Sequence, residues 1–215
     1  MDRAQALRVT HEPRPTADAR RFGDGGPPSA DEPPINNALL AIVLFMAAEV
    51  MLFMALFGAF VLYRTASVAW PPPGQPTLPI GVTFANTAVL LASAVMMSRA
   101  YNDLRAGNLR GLRIGLAAAT AMGTIFLAVQ GYEWTKLIRH GLTLASSTYG
   151  TTFYTLIGLH AAHVAGAVLW LLLVLVGALR GRYSAQRYVG VQVCSLYWYF
   201  VCGLWVVLFG AVYLT

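Results

Sequence analysis

Five apolar runs, each about twenty residues or longer, occupy most of this chain. About 20 apolar residues in a helix cross a hydrocarbon core about 30 Å thick, since each residue advances the helix by about 1.5 Å. Each run is therefore long enough to span a bilayer. The sequence predicts an all-α integral membrane protein, a five-transmembrane-helix bundle with helices at about 38–63, 80–99, 112–137, 152–179 and 190–214.

Composition agrees with a membrane protein and excludes a nucleic-acid binder. Hydrophobic residues make up 57% of the chain and charged residues 11%, against roughly 45–50% and about 25% in soluble domains. The net charge of +6 comes from arginines in a tail and in short loops, not along one helical face. We expect no nucleic-acid partner.

Residues 1–37 form a polar N-terminal segment that we predict to be a mobile tail, followed by a membrane domain over 38–215. The tail holds five arginines, six acidic residues and no apolar run. This composition fits neither a secretory signal nor a mitochondrial presequence. Twelve of the fifteen Lys and Arg residues lie in the tail, the second loop and the fourth loop, which predicts a cytoplasmic N-terminus and an external C-terminus.

Few polar residues fall inside the apolar runs. A buried ionisable group costs about 2.5 kcal/mol or more on insertion scales, so each is a candidate for a lipid-linked or proton-linked role. The alternatives are a protonated Glu49 hydrogen-bonded within the bundle, neutral imidazoles that bond between helices, and a solvated Glu133. The candidates are Glu49, Gln130, Glu133, His160 and His163.

Small residues form stripes on the first and fourth helices, and such stripes mark close packing between membrane helices. On the first helix the small stripe lies opposite Glu49. If that stripe meets a neighbouring helix, Glu49 points toward a cleft, a bound lipid or another subunit. The predicted packing positions are Ala55, Gly58, Ala59, Gly158, Ala162 and Gly166.

The chain carries no recognisable reaction centre. A haem with two histidine ligands needs them on opposite faces of the ring, whereas His160 and His163 lie on one turn of one helix. A metal site would need further ligands beside them, and phosphate-loop, nucleophile-elbow and metalloprotease signatures are missing from the sequence. We expect no catalytic, metal or cofactor-binding residue.

Several stretches nevertheless resemble subunit III of the haem-copper cytochrome c oxidases, in the order found in that family. The fourth helix carries the most specific likeness, with both histidines inside it. The stretches are AEVMLF at 48–53, NTAVLLAS at 86–93, QGYEW at 130–134, YGTTFYTLIGLHAAHV at 149–164, and YWYFV at 197–201 with AVYL at 211–214.

The resemblance implies a non-catalytic subunit III of an aa3-type oxidase in a bacterial cytoplasmic (inner) membrane, where oxygen reduction is coupled to proton translocation. Such a subunit packs on subunit I, binds phospholipid and sustains proton uptake and turnover. Haem and copper are expected in the partner subunits. Subunit II, further small subunits or a quinol:cytochrome c reductase are the other implied partners.

Two departures from the family pattern are visible. The longest family members have seven helices and this chain resembles the last five, while Tyr199 and Cys202 replace a histidine and an aspartate. Two alternatives stay open: an accessory subunit of a nitric oxide reductase, and a small proton-coupled transporter around Glu49. Transporters commonly carry inverted repeats and broken helices, which the sequence does not show.

Overall fold

The computed structural model describes residues 37–70, 72 and 80–213, and this part of the chain forms five long helices. All five are long and apolar enough to cross a membrane, which confirms the predicted all-α bundle. The predicted tail lies outside the described residues except for Asn37. The helices are α1 (Asn37–Ala66), α2 (Ile80–Arg105), α3 (Leu109–Arg139), α4 (Thr148–Leu179) and α5 (Val189–Tyr213).

Several helices extend further than their apolar runs predict. Helix α2 continues to Arg105, and α3 and α4 each begin several residues before the predicted start. Both starts are capped: Asn108 Oδ1 accepts from the Gly111 amide at 3.0 Å, and Ser147 Oγ accepts from the Gly150 amide at 3.1 Å. The hydropathy pattern indicates which residues lie in the bilayer. A helix can begin outside that run, where a capping side chain accepts hydrogen bonds from its first amides.

The helices differ in how much of their surface the bundle covers. Helix α2 packs on α3 and α5, α3 also packs on α4, and α4 packs on α5, while α1 contacts α4 and α5. Only 11% of the α1 span is buried, against 56% of the α5 span. Helix α1 is therefore peripheral, and α5 lies deepest in the bundle.

Hydrogen bonds from two indoles join α5 to α2 inside the apolar layer. Nε1 of Trp198 donates to Oγ of Ser93 at 3.2 Å, and Nε1 of Trp205 donates to Oγ1 of Thr87 at 2.9 Å. All four residues are buried. The later tryptophan bonds the earlier residue of α2, so the two helices run antiparallel. The two bonds together fix the register between them.

Helices α2 and α3 approach closely at Gly115, which is buried. A methyl group at this position would lie 2.8 Å from Cβ of Ala100 and 3.1 Å from the Ala100 backbone. The sequence analysis did not select Gly115, because its surroundings depend on which helix is its neighbour.

We expect Gly115→Ala to lower the free energy of unfolding by about 1–3 kcal/mol, since the added methyl group must push α2 away from α3. Thermal unfolding in mild detergent, followed by tryptophan fluorescence, measures the effect. Gly131→Ala in the same helix is the matched control, because a methyl group there meets nothing within 4 Å. Equal melting temperatures for the two variants would contradict the close approach.

Candidate functional site

Glu49 of α1 and His163 of α4 meet at the interface of these two helices. Nε2 of His163 lies 2.7 Å from Oε2 of Glu49, and the two side chains are only 17% and 12% exposed. The ring of Phe53, one turn beyond Glu49, packs edge-to-face against the ring of His163, with centroids 5.3 Å apart. The structure therefore joins two of the predicted candidates across a helix interface.

The surroundings of His163 indicate which of its ring nitrogens bears a hydrogen. Nδ1 of His163 lies 2.7 Å from the Leu159 carbonyl oxygen, which only accepts, so Nδ1 bears a hydrogen. In a neutral imidazole Nε2 is then unprotonated and would repel an ionised carboxylate.

The contact is short but is not aligned as a hydrogen bond. Oε2 of Glu49 has no hydrogen-bond partner among the described residues, although Nε2 of His163 is close. The structure therefore shows a close approach of two ionisable side chains from neighbouring helices.

His160 lies one turn from His163 in a different environment. Its ring is fully buried, stacked on Trp205 with centroids 5.2 Å apart, and set edge-to-face against Phe53 at 6.3 Å. Neither ring nitrogen has a hydrogen-bond partner among the described residues. The two histidines share Phe53 as a neighbour, but only His163 reaches Glu49.

Gln130 and Glu133 belong to a second polar group, near the C-terminal end of α3. Nε2 of Gln130 donates to the Tyr213 hydroxyl at 3.3 Å. Glu133 is 6% exposed, and its Oε1 accepts from Lys136 Nζ at 2.8 Å. Glu133 is therefore buried and paired, and the alternative of a solvated Glu133 is wrong. The pairing is possible because the Lys136 side chain reaches back over one helical turn.

The small-residue stripes face outward within this chain. A methyl group at Gly58 or Gly166 would meet nothing within 4 Å, and Ala55 and Ala162 are exposed. Gly158 is the exception on α4, since a methyl group there would lie 3.9 Å from Trp134. Packing of the other small residues stays a prediction about contacts with other chains.

Helix α1 instead uses aromatic residues to contact the bundle. Phe53 and Phe60 are each 2% exposed, and they bury more apolar area than alanine or glycine can. The face toward α4 therefore carries Glu49, whereas Ala55 and Gly58 are exposed on another face. Glu49 therefore points toward α4 and not out of the bundle.

Two open grooves border this region. One has a volume of about 180 Å³ between α1 and α4, with Leu56, Ala59 and Thr155 in its walls. The other, about 220 Å³, is bordered by His163 and Tyr197. Sequence reasoning did not select Tyr197 or Trp205, because aromatic residues in an apolar run give no signal of a polar neighbour.

The ligating side chains do not gather into a metal centre in the part of the chain described. There, no three His, Cys, Asp or Glu side chains lie close enough to hold a metal ion. The two intramembrane histidines lie on one turn of α4, so they cannot bind both faces of a haem. The haem and copper of an oxidase therefore do not fit this site, and no redox step is assigned to it.

Comparison with known proteins identifies the family. The sequence model described as cytochrome c oxidase subunit III matches residues 33–215. A cytochrome c oxidase subunit 3 of Synechocystis sp. is 38% identical over 177 residues, which cover 82% of this chain and 75% of that protein. A probable cytochrome c oxidase subunit 3 of Nocardia farcinica is 31% identical over 180 residues, covering 83% and 88%.

The share of each relative that matches this chain differs. A cytochrome c oxidase subunit 3 of Drosophila yakuba is 33% identical over 179 residues, but the matched part is only 67% of that protein. The corresponding share of the Nocardia farcinica protein is 88%. These matches confirm the resemblance seen in the motifs: the chain belongs to the cytochrome c oxidase subunit III family.

Proposed function

We propose that this chain is the non-catalytic subunit III of an aa3-type cytochrome c oxidase, in which it packs on subunit I, holds phospholipid and sustains proton uptake during turnover. Membership of the family supports association with the oxidase complex. The observation that carries the rest of the proposal is the Glu49–His163 contact. This contact places two ionisable side chains side by side between α1 and α4.

In this proposal the pair attaches the peripheral helix α1 to the bundle. Helix α1 buries few residues, so a polar contact in a medium of low dielectric contributes a large share of its attachment. The adjoining grooves are open and bordered mainly by apolar atoms, which suits phospholipid acyl chains. Holding α1 in place would keep both grooves in shape.

The proposed location is a bacterial cytoplasmic membrane, with the N-terminus in the cytoplasm. The α2–α3 and α4–α5 connections lie at the arginine-rich end of the helices, whereas Lys136 and Arg139 lie near the opposite end. Positive residues concentrate on the cytoplasmic side of membrane proteins. Relatives from Synechocystis sp. and Nocardia farcinica are bacterial proteins of the same family.

We expect Glu49→Gln to leave the complex assembled but to weaken phospholipid retention by about fivefold, or about 1 kcal/mol. A glutamine amide can donate to Nε2 of His163 but cannot ionise. Bound phosphorus and the number of turnovers before inactivation measure the effect on purified oxidase. Glu133→Gln is the matched control, since its side chain pairs with Lys136, and equal behaviour of both variants would contradict the proposal.

Single cysteines on opposite sides of the membrane test the orientation. Ala106→Cys lies in the α2–α3 connection and Ser146→Cys precedes α4, and both positions are exposed, whereas the two natural cysteines are buried. In intact spheroplasts we expect a membrane-impermeant maleimide to label Ser146→Cys only. Labelling of Ala106→Cys before disruption would reverse the orientation.

Purification of the chain from its native membrane in mild detergent tests the partner. We expect it to carry subunit I together with haem a and copper, seen in the optical spectrum and by metal analysis. Isolation with a haem b reductase that lacks copper would instead favour the nitric oxide reductase association.

A further inference from the structure

Trp70, in the connection that follows α1, packs between α1 and α4. Its ring meets Phe60 of α1 edge-to-face with centroids 5.7 Å apart, and it meets Tyr149 of α4 edge-to-face with centroids 5.1 Å apart. Phe60 and Tyr149 are buried, whereas Trp70 is half-buried. A ring from the connection therefore joins the C-terminal end of α1 to the N-terminal end of α4.

The backbone turns back immediately after α1 and brings Trp70 to this place. The Ser67 amide donates to the Arg64 carbonyl oxygen at 3.3 Å, and Oγ of Ser67 donates to the Tyr63 carbonyl oxygen at 2.6 Å. These bonds use carbonyl groups that the end of a helix leaves without a partner inside the helix. Pro71 follows Trp70 in the sequence, and a residue before proline avoids the helical conformation. The chain therefore leaves the helix before Trp70, and the Trp70 ring folds back onto α1.

Few other residues attach α1 to the bundle. Its buried residues are Ile42, Phe53 and Phe60, among 30 positions. Phe53 packs on His163, next to the Glu49–His163 contact. Phe60 follows Glu49 by eleven residues, so it lies about 16 Å further along the helix. Helix α1 is therefore attached to α4 at two levels, one at the Glu49–His163 contact and one at the ring of Trp70.

The space between these two levels is open. A groove of about 180 Å³ lies there, with Leu56 and Ala59 of α1 and Thr152 and Thr155 of α4 in its walls. An apolar helix face gains little from a neighbouring helix over lipid tails, so these walls contribute little to holding α1. The contacts at the two levels therefore determine how α1 lies on α4.

We propose that Trp70 is a latch: it holds the C-terminal half of α1 against α4, and α1 pivots about the Glu49–His163 contact when Trp70 leaves its place. Edge-to-face ring pairs are favourable beyond the apolar area that they bury. Trp70 lies outside the five helices, so it can move without breaking a hydrogen bond inside a helix. The latch does not depend on the function proposed above, because it concerns only the distance between two helices.

Distances between pairs of spin labels on the purified complex test the latch. One pair, Thr65→Cys with Thr148→Cys, reports on the latched end, and a second pair, Val50→Cys with Ala165→Cys, reports on the level of the Glu49–His163 contact. All four positions are exposed, and the two natural cysteines are buried. In Trp70→Leu we expect the separated fraction at the latched end to rise about tenfold, equivalent to about 1.4 kcal/mol. The second pair should keep its wild-type distance.

Two further variants separate the latch from a general loss of packing. Trp134→Leu is the matched control, since the ring of Trp134 packs on Tyr154 between α3 and α4, and wild-type distances are expected. Trp70→Phe retains a ring in the connection and should restore the wild-type distances. Filling of space alone would be satisfied by leucine as well as by phenylalanine.

Four results would overturn the proposal: an unchanged distance at the latched end in Trp70→Leu, an equal separation in Trp134→Leu, an equal separation in Trp70→Phe, or an equal separation of the second label pair. The last result would show that α1 detaches as a whole. If Trp70→Leu does not assemble, Trp70→Met replaces it, because an unbranched side chain fills the space without a ring. The same expected and contradicting distances then apply to Trp70→Met.

Discussion

The missing water of the bilayer interior is the constraint on which this structure depends. A buried donor inside a membrane is stabilised by an acceptor within the protein, because no water is at hand, and α5 donates from Trp198 and Trp205 to hydroxyl groups of α2. An apolar face of a membrane helix packs about as favourably against lipid tails as against another helix. Directional bonds and the close contact at Gly115 therefore decide which helices lie side by side.

The same constraint applies to the Glu49–His163 contact, because both side chains are largely buried. Because the Leu159 carbonyl oxygen accepts the Nδ1 hydrogen, Nε2 of His163 is the ring nitrogen that faces the Glu49 carboxyl group. His160, one turn away, has aromatic neighbours and no hydrogen-bond partner among the described residues. A single helical turn thus contains one histidine that contacts a carboxyl group and one that has only ring contacts.

Hydropathy and charge predicted the number, order and approximate limits of the helices, because each span is long and apolar. The family followed from motifs with a fixed order. Helix ends were missed where Asn108 and Ser147 supply caps beyond the apolar runs. The direction of Glu49 was missed for another reason: a helical wheel gives the faces of one helix, but the neighbour on each face is a property of the assembled bundle.

The shallow burial of α1 has a consequence for how the protein comes apart. Its contacts are confined to α4 and α5, with three buried residues along 30 positions. Local stability follows the density of such contacts. When detergent strips the surrounding lipid, α1 should detach before the remaining four helices separate. Detachment of the first helix during extraction would then break the Glu49–His163 contact while the other four helices stay packed.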